Sequence, residues 1–470
     1  MKKAIVVGGG ISGLATAYLL RERARANGVE LDVTLLEKET RVGGKIWSIR
    51  DEGYLCEWGP NGFLDGKPQT LELCRQLGAS DQLLRSSNSA RRRFIYADGV
   101  LHQLPEDGKA FLKSKLLSWP GKLRLAMEPF SSKAPQDVDE TLAAFARRRL
   151  GQEALTRLIG PMVSGIFAGD PETMSLSACF PRIAELESEY GGLIMAMLKL
   201  AKQKKKEKAA GKAVSGAGGP GGVLTSFRDG LQTLTDVLAH RLGKEVVSGQ
   251  SVTRVVKGTG SPYRVVTESC ELDADLVILA TPADVSSEIV QELDTFINHV
   301  LKTIPYASMT VACFGYERNK IRFDMNGFGY LIPREEKMNT LGTLWDSSIF
   351  ANRAPGGRVL LRSMLGGACF PKYINLSDGE VVDRVQADLQ RIMGIKAPPS
   401  FVKVFRHEKA IPQYTVGHNE RLSNLEVKLK EYPGLYLTGN AYRGIGLNDC
   451  VAAADKCAKE AVVYLKRLGN

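Results

Sequence analysis

The sequence predicts an α/β chain with a Rossmann-like βαβ unit at the N-terminus and further strand and helix patterns far along the chain. Three observations predict it. Residues 2–37 read as strand, glycine turn, helix and strand, ending on an acid. Residues 251–284, "SVTRVVKGTGSPYRVVTESCELDADLVILATPAD", hold three strand-like runs separated by turn residues. Residues 435–461, "LYLTGNAYRGIGLNDCVAAADKCAKEA", break from a strand-like run into a glycine turn and an alanine-rich helix.

The first element is the most informative. The apolar run 4–7 suits a strand buried in a parallel sheet. Gly8-x-Gly10-x-x-Gly13 follows it. Gly8 makes the tight turn, Gly10 lets a pyrophosphate reach the backbone, and Gly13 lets helix and strand pack closely. The helix N-terminus offers free N–H groups and a favourable dipole to that anion. The second strand, "LDVTLLEK", reaches Glu37, 24 residues after Gly13, where a ribose-binding carboxylate belongs. The pattern specifies a Rossmann-like dinucleotide site.

The next stretch, "KETRVGGKIWS", is similar to the extension that follows the acid in FAD-binding oxidases and desaturases. NAD dehydrogenases do not usually carry it. Gly43 and Gly44 permit close backbone approach, and Arg41 is expected to face phosphate. The sequence contains no second strand–GxGxxG–helix unit. The other glycine-rich stretch, "SGAGGPGG" (215–222), contains Pro220 and reads as a linker. Without a nicotinamide site, a flavin takes its electrons from the substrate, which points to an oxidase or desaturase. In amine-oxidase-like flavoproteins the ring system meets a C-terminal strand, glycine turn and helix. The helix starting near Asn448 is expected to aim its N–H groups at the flavin pyrimidine edge.

Bulk properties narrow the class. A chain of 470 residues suggests about three domain-sized units. No apolar run reaches the length of a membrane span, and the apolar run at the N-terminus is too short for a signal peptide. The eight cysteines are scattered singly, as expected of reduced thiols in the cytosol. The net charge of +11 admits an acidic partner. Part of it lies in "AKQKKKEKAAGK" (201–212), where no aromatics are interleaved, so nucleic acid is not expected. Residues 65–215 carry helical periodicity, with Leu193, Met197 and Leu200 on one face. His407 and His418 flank "AIPQYTVG" and read as structural.

"DETLAAFARRRLG", "SGIFAGDPETMSLSACFPRIAELE", "GFGYLIP", "AIPQYTVGH" and "GIGLNDCV" together resemble the protoporphyrinogen oxidase family, in its order, over nearly the whole chain. The resemblance is to the soluble bacterial branch, several members of which act on coproporphyrinogen III. It implies an FAD-binding domain of the amine-oxidase type assembled from residues 1–65, 223–300 and 400–470. A helical domain, facing a membrane or a partner, would span 85–215. A mixed α+β substrate domain would take 66–84 and 301–399. It implies hydride transfer from a porphyrinogen meso carbon to flavin N5, reoxidation by O2 and release of H2O2, in a cytoplasmic enzyme that is peripheral at the membrane or meets other haem-pathway enzymes. No residue is assigned as a catalytic acid, base or metal ligand.

The same resemblance assigns roles. FAD would meet Gly8, Gly10, Ile11, Ser12, Gly13, Glu37, Lys38, Arg41, Gly43, Gly44, the turn Gly59, Pro60, Asn61 and Gly62, then Val252 at adenine, and Gly439, Ile445, Gly446 and Leu447. The substrate slot would be Phe328, Gly329, Leu331 and Met364, with the Gly165 carbonyl on the macrocycle N–H groups. Arg93 and Lys67 would take the propionates. Two other readings stand beside this one. One is a flavin amine oxidase or carotenoid desaturase, with Tyr414 and Tyr442 as an aromatic pair. The other is an idle tetrapyrrole carrier.

Overall fold

A computed structural model describes residues 1–133, 138–209 and 221–469. Residues 215–220 of the glycine-rich stretch and the end of the lysine-rich run lie outside the described residues.

Five parallel strands form the cofactor-side sheet, in the order Val246–Ser248, Leu31–Glu37, Lys2–Val7, Leu276–Leu279, Leu435–Leu437. The apolar runs of the central strands Leu31–Glu37, Lys2–Val7 and Leu276–Leu279 are buried on both faces, as parallel sheets require, while the edge strand Val246–Ser248 leaves Val247 exposed. On one face lie helix Ile11–Ala26, helix Gln232–Leu242 and the C-terminal helix Leu447–Gly469. The other face carries a three-stranded antiparallel sheet (252–274) and helices Ala283–Ile289 and Thr295–Lys302. Three segments from different parts of the chain thus make one core.

The second sheet has seven strands: Phe401–Pro412, Tyr306–Glu317, Arg358–Gly366, Gly342–Leu344, Gly329–Leu331, Arg93–Ala97 and Val100–Gln103. Only the Gly329–Leu331/Arg93–Ala97 pair is parallel. Helix Asp378–Met393, closed at its start by a Ser377/Glu380 capping box, covers the back face. The front face meets Tyr54, Cys56 and Trp58 of the cofactor side.

The domain boundaries differ from the sequence expectation in three places. Helix Pro68–Leu77 buries Leu73, Cys74 and Leu77 in the cofactor-side core, so 66–84 leaves the substrate part. Strand Phe401–Pro412 lies on the substrate sheet, beside Tyr306–Glu317. Strands Arg93–Ala97 and Val100–Gln103, placed in the helical segment, extend that same sheet. The helices from 142 onward pack around Phe145, Val163, Phe167 and Met174, and Tyr414 from the far end of the chain joins them.

Candidate flavin and substrate site

Two glycine turns touch at the C-terminal edge of the parallel sheet. Gly8 sits at φ +103°. A Cβ on Gly13 would lie 1.8 Å from the Gly8 carbonyl oxygen, so helix Ile11–Ala26 leaves the strand with no room to spare. A Cβ on Gly10 meets nothing within 4 Å, so space lies open over the helix N-terminus, which no side chain caps. Gly43 donates its N–H to the Gly9 carbonyl at 2.7 Å, and Gly44, at φ +57°, approaches the Gly10 backbone. A cradle of backbone N–H groups with no side chain in it fits a pyrophosphate. Ile11 and Ser12 open that helix, and a Cβ on Gly439 would come 3.8 Å from Ser12 Oγ.

Glu37 is buried at the end of its strand. Its Oε2 accepts from the Gly9 N–H at 2.6 Å and its Oε1 from the Glu39 N–H at 2.9 Å. This fixes the carboxylate at the rim of the cradle, and Lys38 beside it is solvent-facing and paired to Glu39. Val252 lies on the neighbouring antiparallel sheet, two residues beyond Gln250, whose N–H bonds the Glu37 carbonyl at 2.8 Å.

Arg41 departs from expectation. Its guanidinium donates to the carbonyls of Val42, Gly44 and Ile46 and stacks 4.3 Å over Trp47. It braces the glycine turn, and burial lowers its pKa. Lys45, which sequence reasoning passed over, is a half-buried cation directly after the glycine turn. Its Nζ donates to the Ala410 carbonyl at 2.7 Å, and among the described residues no carboxylate is within ion-pair distance. Burial pushes its pKa down to about 8. The desolvated ammonium also lies 5.3 Å from the Tyr306 ring, so it reaches from the glycine turn to the substrate sheet. Its signal was its place directly after Gly43-Gly44.

At the other end, Gly444, Ile445 and Gly446 lead into the C-terminal helix at Leu447. Asp449 in its first turn accepts from Lys67 Nζ at 2.6 Å. Lys67, expected to take a propionate, is paired to Asp449. It pins helix Pro68–Leu77 to the start of the C-terminal helix through a half-exposed pair of the kind worth about 0–1 kcal/mol. Gly59 and Gly62 press on backbone, with a Cβ 2.2 Å from the Lys45 oxygen and 2.4 Å from the Thr225 oxygen, while Asn61 bonds across to Asp346.

The substrate sheet brings most of the slot residues together. Gly342 pairs with Leu331 on one side and Met364 on the other. A Cβ on Gly165 would lie 2.8 Å from Leu331 Cδ2, so helix Gly160–Phe167 ends against this row. A π-helical turn, Leu155–Ile159, precedes it, a feature frequent at functional sites. Gly329 pairs with Arg93, whose guanidinium lies 5.2 Å from the Phe328 ring. Arg93 is exposed and, among the described residues, has no carboxylate partner. Tyr414 and Tyr442 do not form the amine-oxidase ring pair. Tyr414 stacks on His418 at 4.2 Å and its hydroxyl donates to the Asn440 carbonyl, whereas Tyr442 packs in the opposite core.

His418 is 1% exposed, and its Nε2 donates to the Tyr442 carbonyl. Burial pushes its pKa down to about 4. An unfolded chain takes up this proton near pH 6.5 and the folded one only near pH 4, so stability falls as pH drops through that window. The loss reaches about 3 kcal/mol below pH 4. Urea midpoints at pH 7, 5.5 and 4 are expected to fall less steeply in His418→Phe than in the parent. Parallel slopes would show that this imidazole is not kept neutral.

Fold and cleft define a flavoprotein oxidoreductase: a dinucleotide cradle completed from both chain ends, beside a second sheet that carries Leu331 and Met364 on one face. The chain belongs to the flavin containing amine oxidoreductase family, whose model matches residues 11–462. It is an FAD-dependent oxidoreductase. It is 31% identical to the coproporphyrinogen III oxidase of Bacillus subtilis, over 99% of this chain and 98% of that one. It is 34% identical to the chloroplastic protoporphyrinogen oxidase of Oryza sativa, over 98% of this chain and 88% of that one. A solved structure from Exiguobacterium sp. assigned as a protoporphyrinogen oxidase superposes with a TM-score of 0.81 at 27% identity, covering 98% of this chain and 99% of that one. Cyclohexylamine oxidase from Brevibacterium oxydans, at 17% identity and a TM-score of 0.71, shares the fold.

Proposed function

We propose that this chain oxidises a porphyrinogen, coproporphyrinogen III or protoporphyrinogen IX, to the porphyrin in haem biosynthesis, with O2 as the final acceptor. The observation that carries the reading is the row Gly165–Leu331–Met364 with Phe328 and Arg93 at its edge, in a chain similar end to end to porphyrinogen oxidases. FAD supplies the hydride acceptor and the route of electrons to oxygen. The residues do the rest by position. Leu331 and Met364 exclude water from a flat macrocycle, and Phe328 stacks on a pyrrole ring. Arg93 takes a propionate, and the last-turn carbonyls of helix Gly160–Phe167, Gly165 among them, present negative partial charge to the pyrrole N–H groups. Such a substrate needs orientation more than acid–base help.

Purified holoenzyme in air is expected to turn coproporphyrinogen III fluorescent faster than protoporphyrinogen IX. Arg93→Ala is expected to raise KM by about tenfold, the worth of one charge-assisted hydrogen bond. Silence on both substrates from flavin-loaded protein overturns the reading and favours amines or polyenes.

We further infer cytoplasmic, peripheral placement. No helix among the described residues is long and apolar enough to cross a membrane. The helical part nevertheless exposes Trp119, Leu123, Met127 and Phe130 (71, 64, 50 and 85%) near exposed Lys113, Lys115 and Lys133. A basic, apolar face of this kind suits an anionic lipid surface. Sedimentation with phosphatidylglycerol vesicles at low salt, lost in a Trp119→Ser/Phe130→Ser variant, is expected. No sedimentation of the parent removes the inference.

A further inference from the structure

Between the turn at 57–62 and the substrate sheet lies a closed set of buried charges. Glu57 is 1% exposed, Asp346 and Arg353 0%, and Arg362 3%. Arg362 stands two residues before Met364 and so on the same face of strand Arg358–Gly366. Its Nη1 donates to the Gly59 carbonyl at 2.9 Å and the Glu57 carbonyl at 3.3 Å, and its Nε faces the Asp346 carboxylate at 3.0 Å. Asn61 bridges the set, donating to Asp346 at 3.1 Å and accepting from Arg353 at 3.3 Å. Arg353 closes the ring onto Glu57 at 3.0 Å, and the Ser48 hydroxyl and Leu231 N–H hold Glu57 from behind.

The set joins the parts that must meet for the reaction. Asp346 follows Trp345, whose N–H bonds the Phe328 carbonyl at 3.0 Å. One side of Asp346 therefore leads to Phe328. The other leads through Arg362 to Met364 and to the carbonyls of the turn that faces the cofactor cleft. Two acids and two arginines cancel in charge. A buried ionic set like this contributes little stability over apolar packing of the same volume. The Arg362 guanidinium is nevertheless held to the turn by two hydrogen bonds to backbone carbonyls and drawn to the Asp346 carboxylate by charge, so turn and strand are tied to one planar group.

We propose that Arg362 and Asp346, backed by Arg353 and Glu57, are positioning residues that set the spacing between the substrate row and the flavin-side turn, and so the reach of hydride transfer. The proposal rests on the flavin reading of the cleft. A displacement near 1 Å costs a rate of about 100-fold.

The test uses FAD-loaded protein with Asp346→Asn, Arg362→Lys and the apolar pair Arg362→Met/Asp346→Leu. The apolar pair removes both charges together and leaves the Arg353–Glu57 pair balanced, so no buried charge loses its partner. Porphyrinogen is mixed anaerobically with each, and flavin bleaching is followed in stopped flow. Expected is bleaching tenfold or more slower in the apolar pair, with KM within about threefold of the parent and a changed visible circular dichroism of bound FAD. Bleaching slowed less than tenfold, or a loss confined to KM, overturns the proposal. The dichroism needs no substrate: if the parent oxidises no porphyrinogen, an unchanged flavin band in the apolar pair still overturns the positioning role, and a changed one supports it. Should the apolar pair fail to fold, Asp346→Asn and Arg362→Lys are read against the same tenfold bound.

Discussion

Gly13→Ala is expected to leave the protein without bound FAD. The new Cβ would stand 1.8 Å from the Gly8 carbonyl oxygen and 3.2 Å from Ala280 Cβ. Neither neighbour is the tip of a flexible side chain. The first is backbone of the nucleotide turn itself, and the second follows strand Leu276–Leu279 in the centre of the sheet. Helix Ile11–Ala26 must lift off the sheet, and its N–H groups move away from the space over Gly10. Each charge-assisted hydrogen bond to phosphate is worth about 1.5–3 kcal/mol, so losing two weakens FAD by about 100-fold or more. The flavin-to-protein absorbance ratio after gel filtration, followed by titration of apoprotein with FAD, measures this. A variant that purifies with its full complement of FAD would place the cofactor elsewhere.

The second large effect is expected at Gly329→Ala. This residue holds φ +130°, a region closed to side chains, and its Cβ would lie 2.2 Å from the Thr343 oxygen and 2.8 Å from Leu344 Cα. Both contacts are backbone of the paired strand. Relief requires breaking the Gly329–Leu344 pair, which carries Phe328 on one side and Leu331 on the other. Strain and clash together cost about 3 kcal/mol. The slot also opens, so the rate of porphyrin formation is expected to fall by at least tenfold. Urea midpoint and rate are measured on the same preparation. An unchanged midpoint means that the strand accommodates a side chain, and an unchanged rate means that the slot lies elsewhere.

These two glycines differ in how they could be read. Gly13 sits in a spacing whose meaning is local: strand, turn and helix occupy consecutive residues, and only glycine satisfies the turn. Glu37 was legible for the same reason, since one helix and one strand separate it from Gly13. Gly329 carried no local sign. It entered through the resemblance of "GFGYLIP" to a family block, and its φ follows from a strand pair formed with residues 342–344. The resemblance also supplied Phe328, Leu331, Met364 and Gly165; the sheet register sets Leu331 and Met364 on either side of Gly342, and a helix brings Gly165 against Leu331.

Lys67 and Arg41 show the limit of that reading. Both were expected to offer charge to a ligand. The tertiary structure turns Lys67 to Asp449, 382 residues away, and Arg41 to three carbonyls of its own turn. The boundary at 400 failed similarly: residues 401–412 alternate like many strands, and only pairing with Tyr306–Glu317 decides which sheet receives them.

By itself the sequence determined the βαβ cradle, its acid, the completion of the domain from the C-terminal end and the flavoenzyme class. The cradle and its acid rest on backbone stereochemistry and periodicity within about forty residues; the completion of the domain and the flavoenzyme class came through resemblance to known flavoproteins. The tertiary structure alone decided the ring Glu57–Arg353–Asn61–Asp346–Arg362, the Lys45–Ala410 contact and the partition of strands between the two sheets. Those depend on which buried groups meet across hundreds of residues. A charged side chain in an apolar strand does not disclose its counter-ion until packing has removed water from both.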